Sequence, residues 1–468
     1  MMAACIVLCF FVKLNAGLIG ITFLGVHLLN LLVYKRIRLL KALCIFASVL
    51  ALIGILAALL HVHLPGYIKG AFEIIKGYND VMHIDEGNYS RSERNIGYLL
   101  LFTLLSLALP LIYSFKQRKL STLLFSLLVF AYIFLLRKQS IVRNDSQHYY
   151  EFFAYAPFVF LFGIVQLLDE IYQKYMARAV LCFSLFALFM IAEYDNRQVD
   201  KSFEQRYLFW GNYWQQFGTF NTKQYQTQAD KRYIPQHVLS LIGNKTIDVF
   251  PWDSEYILEN KLNYSPRPVF QSFSAYTEKL GKYNYQHYID KAPQVILYDY
   301  ESIDGRYPFN DDLLVNFFIC KNYTFADSFT SNERLRLVLQ RHPSVMPLEM
   351  VVPKNAVAGI NKPIPVDWVM MMQIDIEETF AGKMQTFFNT TPAVILKMTR
   401  ANGSVVKYKV SKELLKSGIM VDRWVANTTD FYKYLDDKNT LDVIKEIELI
   451  ADPDYYKETI KIKYINIK

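Results

Sequence analysis

Six long apolar runs fill the first 193 residues: 18–34, 40–60, 96–115, 120–136, 156–168 and 179–192. A helix needs about 20 apolar residues to cross the hydrocarbon core of a bilayer. The fifth and sixth runs are shorter, and flanking Tyr, Phe and Ile extend them. Charged turns separate the runs, and a soluble fold has no room to bury six such helices. The sequence therefore predicts a membrane α-helical bundle of about 6–7 transmembrane helices over residues 1–193. Met1–Val12 is apolar but too short to cross alone. It has neither a basic leader nor a small-residue cleavage site, so it is not a cleavable signal peptide. It reads either as the end of a helix that has lost its beginning, or as a partial helix packed on its neighbours. The first reading is preferred, which makes the helical domain N-terminally truncated.

Basic loops set an expected orientation. Lys35, Arg36, Arg38 and Lys41 form one cluster, Lys116, Arg118 and Lys119 a second, and Lys174 with Arg178 a third. Placing all three in the cytoplasm satisfies the positive-inside rule with strict alternation. Residues 61–95, residues 137–155 and everything after Glu193 then face outward. The expected location is the inner (cytoplasmic) membrane, multi-pass, with the C-terminal region outside the cytoplasm. The lipid bilayer is thus the first partner.

Beyond Glu193 the pattern changes. Strands at 246–250 and 294–298 alternate with helical stretches, as in a small parallel α/β sheet. A hairpin follows across Ser331-Asn332-Glu333. From about Met350 short alternating strands take over, with turns at Asn402-Gly403 and Asp452-Pro453. That spacing fits a β-sandwich of jelly-roll type. The expected domains are therefore 1–193, an extracytoplasmic α/β domain over 194–345 and a β-sandwich over 346–468.

The net charge of +8 is spread over short loops, so it leaves no nucleic-acid footprint. Of the five cysteines, Cys320 alone lies in the polar half, which excludes a disulfide there. No pair has zinc-ligand spacing. There is no Gly-rich phosphate loop, no G-x-S-x-G, no H-E-x-x-H and no kinase set.

Three constellations remain. Arg143, Asp145 and His148 sit within six residues at the expected water interface, where they could hold a lipid-linked phosphate. The stretch 61–95 holds His61, His63, Glu73, Asp80, His83, Asp85 and Glu86. Two or three of these could bind a divalent metal, though no spacing is diagnostic, and no cofactor is otherwise implied. The third lies in 247–277, IDVFPWDSEYILENKLNYSPRPVFQSFSAYT, with Asp299 downstream and Asp304-Gly305-Arg306 reading as a tight turn after a strand. Pro251 ends the first strand. Trp252, Asp253, Arg267, Gln271, Ser272, Ser274 and Tyr276 are expected to gather past the strand ends, where open α/β sheets bind ligands. An aromatic ring beside neutral hydrogen-bonding groups suits a sugar. The competing reading is a packed loop in which Arg267 satisfies carbonyls.

The strings DVFPWD, RPVFQSFSAYT, YDYESIDGRYP and RNDSQHYYEFF resemble a group of bacterial polytopic inner-membrane proteins. Their membrane half is similar to type C glycosyltransferases, which use lipid-phosphate sugars. The resemblance covers roughly residues 11–340. It implies a role in surface polysaccharide or glycoconjugate assembly, with a lipid-linked sugar or envelope glycan as ligand. Type C enzymes usually carry an acidic residue in the first outer loop, and here the first Asp or Glu is Glu73. No catalytic residue is therefore carried over, and the chain is expected to be catalytically incomplete. The rival class is a membrane-anchored scaffold that binds glycan or a protein partner.

Overall fold

The computed structural model describes residues 2–82, 84–85, 120–144, 232–366 and 369–468, with isolated positions between 97 and 156. Clustering of contacts divides the chain into two compact units. One comprises Met1–Phe72 and His83–Asn212, the other Glu73–Met82 and Tyr213–Lys468.

The first unit contains helices α1 (Met2–Val12), α2 (Leu14–Val33) and α3 (Leu39–Leu59), the start of α4 (Leu64–Val81), and α5 (Leu120–Val142). Helix α1 folds back on α2 so closely that a Cβ on Gly17 would collide with the backbone of Phe10. Ile6, Val7 and Phe10 meet Leu14, Leu24 and Leu28 of α2 and Ala42, Val49 and Ile53 of α3 in one apolar cluster. Tyr67 donates from its hydroxyl to the Phe10 carbonyl at 2.7 Å.

Helices α2 and α3 are long and apolar enough to cross a membrane, yet only 17% and 22% of their apolar windows are buried. A core helix of a soluble protein would be mostly enclosed. Leu29, Leu40, Leu43 and Ile55 instead face outward.

The expected bundle of six or seven spans is not what the structure shows. Among the described residues two helices qualify as spans, and the larger part of the described chain is sheet-rich. The runs 96–115, 156–168 and 179–192 lie essentially outside the described residues. Residues 64–81, expected in an outer loop, form α4. Its apolar residues, Leu64, Ile68, Phe72 and Ile75, recur at helical spacing between charges, which average apolarity does not register. Two short parallel strands, β1 (Ile84–Asp85) and β2 (Arg143–Asn144), join the two expected outer loops.

Among the described residues, the second unit holds three four-stranded sheets. The first is mixed. β3 (Ile247–Phe250) and β4 (Val295–Tyr298) are parallel, and β6 (Arg334–Arg341) pairs antiparallel with both β4 and β5 (Tyr323–Ser331), in the order β3-β4-β6-β5. Every residue of β3 and β4 is buried, as strands covered on both faces require. Flanking them are α6 (Gln236–Ile242), α7 (Glu255–Glu259), α8 (Glu278–Lys291) and α9 (Leu313–Asn322). Thr277 caps α8, its hydroxyl accepting from the Leu280 amide. The β5–β6 hairpin turns at Asn332 and Glu333, both left-handed at φ 51° and 62°, as a two-residue turn of this hand requires.

The other two sheets are antiparallel throughout. Their strands are β7 (Met350–Gly359), β8 (Ile364–Pro365), β9 (Met371–Asp375), β10 (Val394–Arg400), β11 (Val405–Val410), β12 (Ile419–Met420), β13 (Ile444–Ala451) and β14 (Thr459–Ile467). The orders are β11-β10-β13-β8 and β12-β9-β14-β7. Alternate residues of β10 (Val394, Leu396, Met398) and β14 (Ile460, Ile462, Tyr464) are buried, the period-two pattern of a sheet with one covered face. Three helices interrupt what reads as all-β sequence: α10 (Phe380–Phe388), α11 (Lys412–Ser417) and α12 (Thr428–Asp437). Each has a side-chain cap, from Thr379, Ser411 and Asn427 respectively. The mixed sheet and the β-rich part share backbone hydrogen bonds, Lys409 N–H to the Gly305 carbonyl at 2.9 Å among them.

Candidate functional site

The carboxyl ends of β3 and β4 point the chain into two turns, Pro251-Trp252-Asp253 and Asp299-Tyr300-Glu301. Between them stand Arg334 and Arg336, which alternate with leucines along β6 and so share one face of the strand. Arg336 donates to Asp253 Oδ2 at 2.8 Å, and its other terminal nitrogen lies 3.6 Å from Asp299 Oδ2. Its guanidinium rests 4.3 Å from the centre of the Tyr256 ring. Arg334 pairs with Glu301. Thr428, at the start of α12, donates to Asp299 Oδ1 at 3.1 Å and accepts from the Tyr300 amide at 3.1 Å. Burial raises the Glu301 carboxyl above its ordinary range, against the pull of Arg334. Asp253 is 31% exposed and Arg334 50% exposed, so the cluster opens to solvent. Trp252 is half-buried, with its ring edge-on to Phe273 at 5.2 Å.

Arg267 goes elsewhere. Its guanidinium is fully enclosed and donates to Asp248 Oδ2 at 2.7 Å, to the Val249 and Pro251 carbonyls at 3.0 and 2.6 Å, and to Ser272 Oγ at 2.8 Å. Its Nε lies 3.4 Å from Asp312 Oδ2. Tyr288 donates to the same Asp248 oxygen at 2.9 Å, and Asn284 donates to Asp312 Oδ2 at 2.6 Å. Two buried carboxylates thus face one guanidinium. Burial pushes the Asp312 carboxyl up to about 7, although Arg267 pulls it down. This network ties 267–272 to β3 and fixes the turn that carries Trp252.

The other predicted residues serve the same scaffold. Ser272 is buried against Pro251, and Gln271 and Ser274 are half-buried in the short turn beside it, where the Ser274 amide donates to the Gln271 carbonyl. Tyr276 is buried and meets the Tyr78 ring edge-on at 6.2 Å. Arg306 is buried, donates to the Phe273 carbonyl at 3.2 Å and lies 3.2 Å from Asp311 Oδ1. Asp304 and Gly305 form the expected tight turn, both in the left-handed region at φ 58° and 70°. In the first unit Arg143 lies on β2 opposite Ile84, and His148 is half-exposed. Asp145 lies outside the described residues.

Of the residues weighed for a metal, Glu73 pairs with Lys279 at 2.9 Å. Asp80 accepts from Thr391 Oγ1 at 2.7 Å and lies 3.3 Å from Lys412 Nζ, which also meets Glu378 at 2.8 Å. Burial raises the Asp80 carboxyl despite Lys412. Burial works against the charge on Lys412, but Asp80 and Glu378 outweigh it. His83 and Glu86 lie outside the described residues, and no cluster of metal-ligating side chains occurs among those described. Arg334 and Arg336 escaped the reading of the sequence. The signal was present as R-L-R at the start of β6, but only the strand order brings it beside Asp253.

Comparison with protein-family models, with curated proteins and with solved structures finds no match for this chain.

Proposed function

We propose that this is a membrane-anchored cell-envelope protein whose second unit recognises a glycan at the crevice between Trp252, Asp253 and Glu301. Anchoring is assigned to α2 and α3. The basic cluster of Lys35, Arg36, Arg38 and Lys41 lies between them, and the positive-inside rule puts it in the cytoplasm. The chain that leaves α3 is then outside, and Glu73–Met82, soon after it, belongs to the second unit. The observation that carries the recognition is the half-buried Trp252 ring next to Asp253, whose partly exposed carboxylate pairs with the buried Arg336, at the carboxyl ends of parallel strands. A flat ring flanked by charge-assisted donors and acceptors suits a sugar, whose faces stack and whose hydroxyls bridge.

Binding is preferred to turnover because each carboxylate of the cluster, Asp253, Asp299 and Glu301, is already engaged by Arg334 or Arg336. The process served is surface polysaccharide or glycoconjugate assembly, in keeping with the resemblance in the central string. Titration of the full chain in detergent with envelope oligosaccharides tests this. Trp252→Ala should weaken binding by more than about 1 kcal/mol, as for an aromatic anchor. Equal binding by a folded Trp252→Ala variant, or no binding by the wild type, overturns the proposal.

A further inference from the structure

Glu73–Met82 belongs to the second unit, yet the chain on either side of it, Met1–Phe72 and His83–Asn212, belongs to the first. Within its own unit this segment has no covalent neighbour and is held by non-covalent contacts alone. Those contacts are mostly polar. Glu73 meets Lys279 of α8 at 2.9 Å and accepts from the Thr277 hydroxyl at 3.3 Å. Lys76 lies 3.8 Å from Glu413 of α11. Asn79 donates to the Thr386 carbonyl at 3.5 Å and to Thr391 Oγ1 at 3.2 Å. The fit is close, since a Cβ on Gly77 would collide with the Tyr276 side chain. A segment seated by ion pairs and hydrogen bonds, with Val81 and Met82 as its buried apolar residues, can open without the rest of its unit.

The innermost contact carries an unbalanced charge. Asp80 accepts from Thr391 Oγ1 at 2.7 Å, and its other oxygen lies 3.3 Å from Lys412 Nζ. The same ammonium donates to Glu378 Oε2 at 2.8 Å, while the Thr386 hydroxyl donates to Glu378 Oε1. Asp80 and Glu378 are each only 9% exposed. Two enclosed carboxylates therefore share one ammonium. Tyr456 is the other titratable group beside them among the described residues. Its buried hydroxyl donates to the Pro392 carbonyl at 2.7 Å and brings no positive charge. Lys76 and Lys279 are engaged by Glu413 and Glu73. A proton shared by the two carboxylates is the cation that balances the closed site. When the segment lifts away, Asp80 returns to water and Lys412 is left with Glu378, one charge against one.

We infer that Glu73–Met82 is a proton-linked latch, which closes on Thr391, Lys412 and Glu378 with the uptake of a proton and opens as that proton is lost. Burial raises the Asp80 carboxyl in the closed state, against the pull of Lys412. The resulting advantage of closure is full below the ordinary value of 3.8 and is lost as pH rises through the closed-state value. Burial opposes the charge on Lys412, but Asp80 and Glu378 outweigh it, so this lysine stays charged across the neutral range. Glu73 acts in the opposite sense. The hydrogen bond from Lys279 holds its carboxyl below the ordinary 4.5, so its contribution is present above that value and is lost on acidification.

Amide hydrogen exchange of the full chain in detergent, expressed as protection relative to the unstructured rate at each pH, reads the latch through residues 73–82, with β14 as reference. Asp80→Asn fixes the neutral form, because its amide can accept from Lys412 and donate to Thr391. The variant keeps Glu73, so the ratio of its protection to that of the wild type isolates the inner site. That ratio should grow between pH 4.5 and pH 8, by up to about tenfold per pH unit for one proton, while β14 is protected alike in both chains. A ratio that stays constant with pH overturns the inference. So does a variant less protected than the wild type at pH 8, because the negative charge is then what holds the segment. Exchange of residues 73–82 only together with β14 also overturns it, because the segment then never opens by itself.

Discussion

Asp312 is a carboxyl that the fold would rather keep protonated. It is buried at the start of α9 in the left-handed region, φ 61°, and shares Arg267 with Asp248. Its folded value of about 7 stands against an ordinary 3.8. A folded value above the unfolded one means that the native state binds the proton more tightly. The associated stability is fully present below the unfolded value and is lost as pH rises through the folded one. At about 1.36 kcal/mol per pH unit, the loss between about pH 4 and pH 7 is on the order of 4 kcal/mol.

Asp312→Asn imitates the protonated form. Asparagine tolerates the left-handed backbone and can still accept from Asn284. The variant should match the wild type only below the unfolded value of 3.8, exceed it increasingly up to about pH 7 and hold that margin at pH 8. There its midpoint should lie higher by something on the order of ten degrees, for a domain of this size. Thermal unfolding of the detergent-solubilised chain, followed by near-ultraviolet dichroism across that pH range, measures the difference. A difference that is flat with pH, or a variant less stable at pH 8, refutes the argument that burial outweighs Arg267 at this position.

Arg267→Met removes the cation that pairs with Asp248 and takes one donor from each of the Val249 and Pro251 carbonyls. Breaking such a buried pair costs about 3–5 kcal/mol, so the second unit should lose its cooperative transition or melt much earlier, and an unchanged midpoint would contradict the network. A reporter that works only outside the cytoplasm should be active when fused after Lys468, whereas activity confined to a cytoplasmic reporter would reverse the assigned orientation.

What the sequence disclosed depended on how local the cause was. The strands Ile247–Phe250 and Val295–Tyr298 were legible because a short apolar run between breakers leaves few alternatives. So was the turn at Asp304-Gly305, where the residue types themselves supply the left-handed backbone. The bundle was not. Runs of the right length speak for apolarity alone, and α4 interposes an amphipathic helix where a loop was expected.

Arg267 shows a second limit. Flanking prolines restrict its backbone, but whether the guanidinium turns out to a ligand or in to Asp248 is decided by residues 19 and 45 positions away. The Asp80–Lys412–Glu378 group was illegible for the same reason, since Asp80 lies more than 290 residues before the other two.

That separation governs the order in which the protein can be made. Asp80 emerges from the ribosome early, and its partner Thr391 lies 311 residues later. At about 5–20 residues per second, tens of seconds pass before the sheet that receives it exists. Until then the end of α4 presents Asn79, Asp80 and Val81 with nothing to close on. The second unit is thus completed only after most of the chain has been synthesised, and its first-made segment is among the last to be locked in place. A cell that expresses residues 213–468 alone would make a unit lacking that closing piece, with Tyr276, Glu378 and Lys412 left facing the gap.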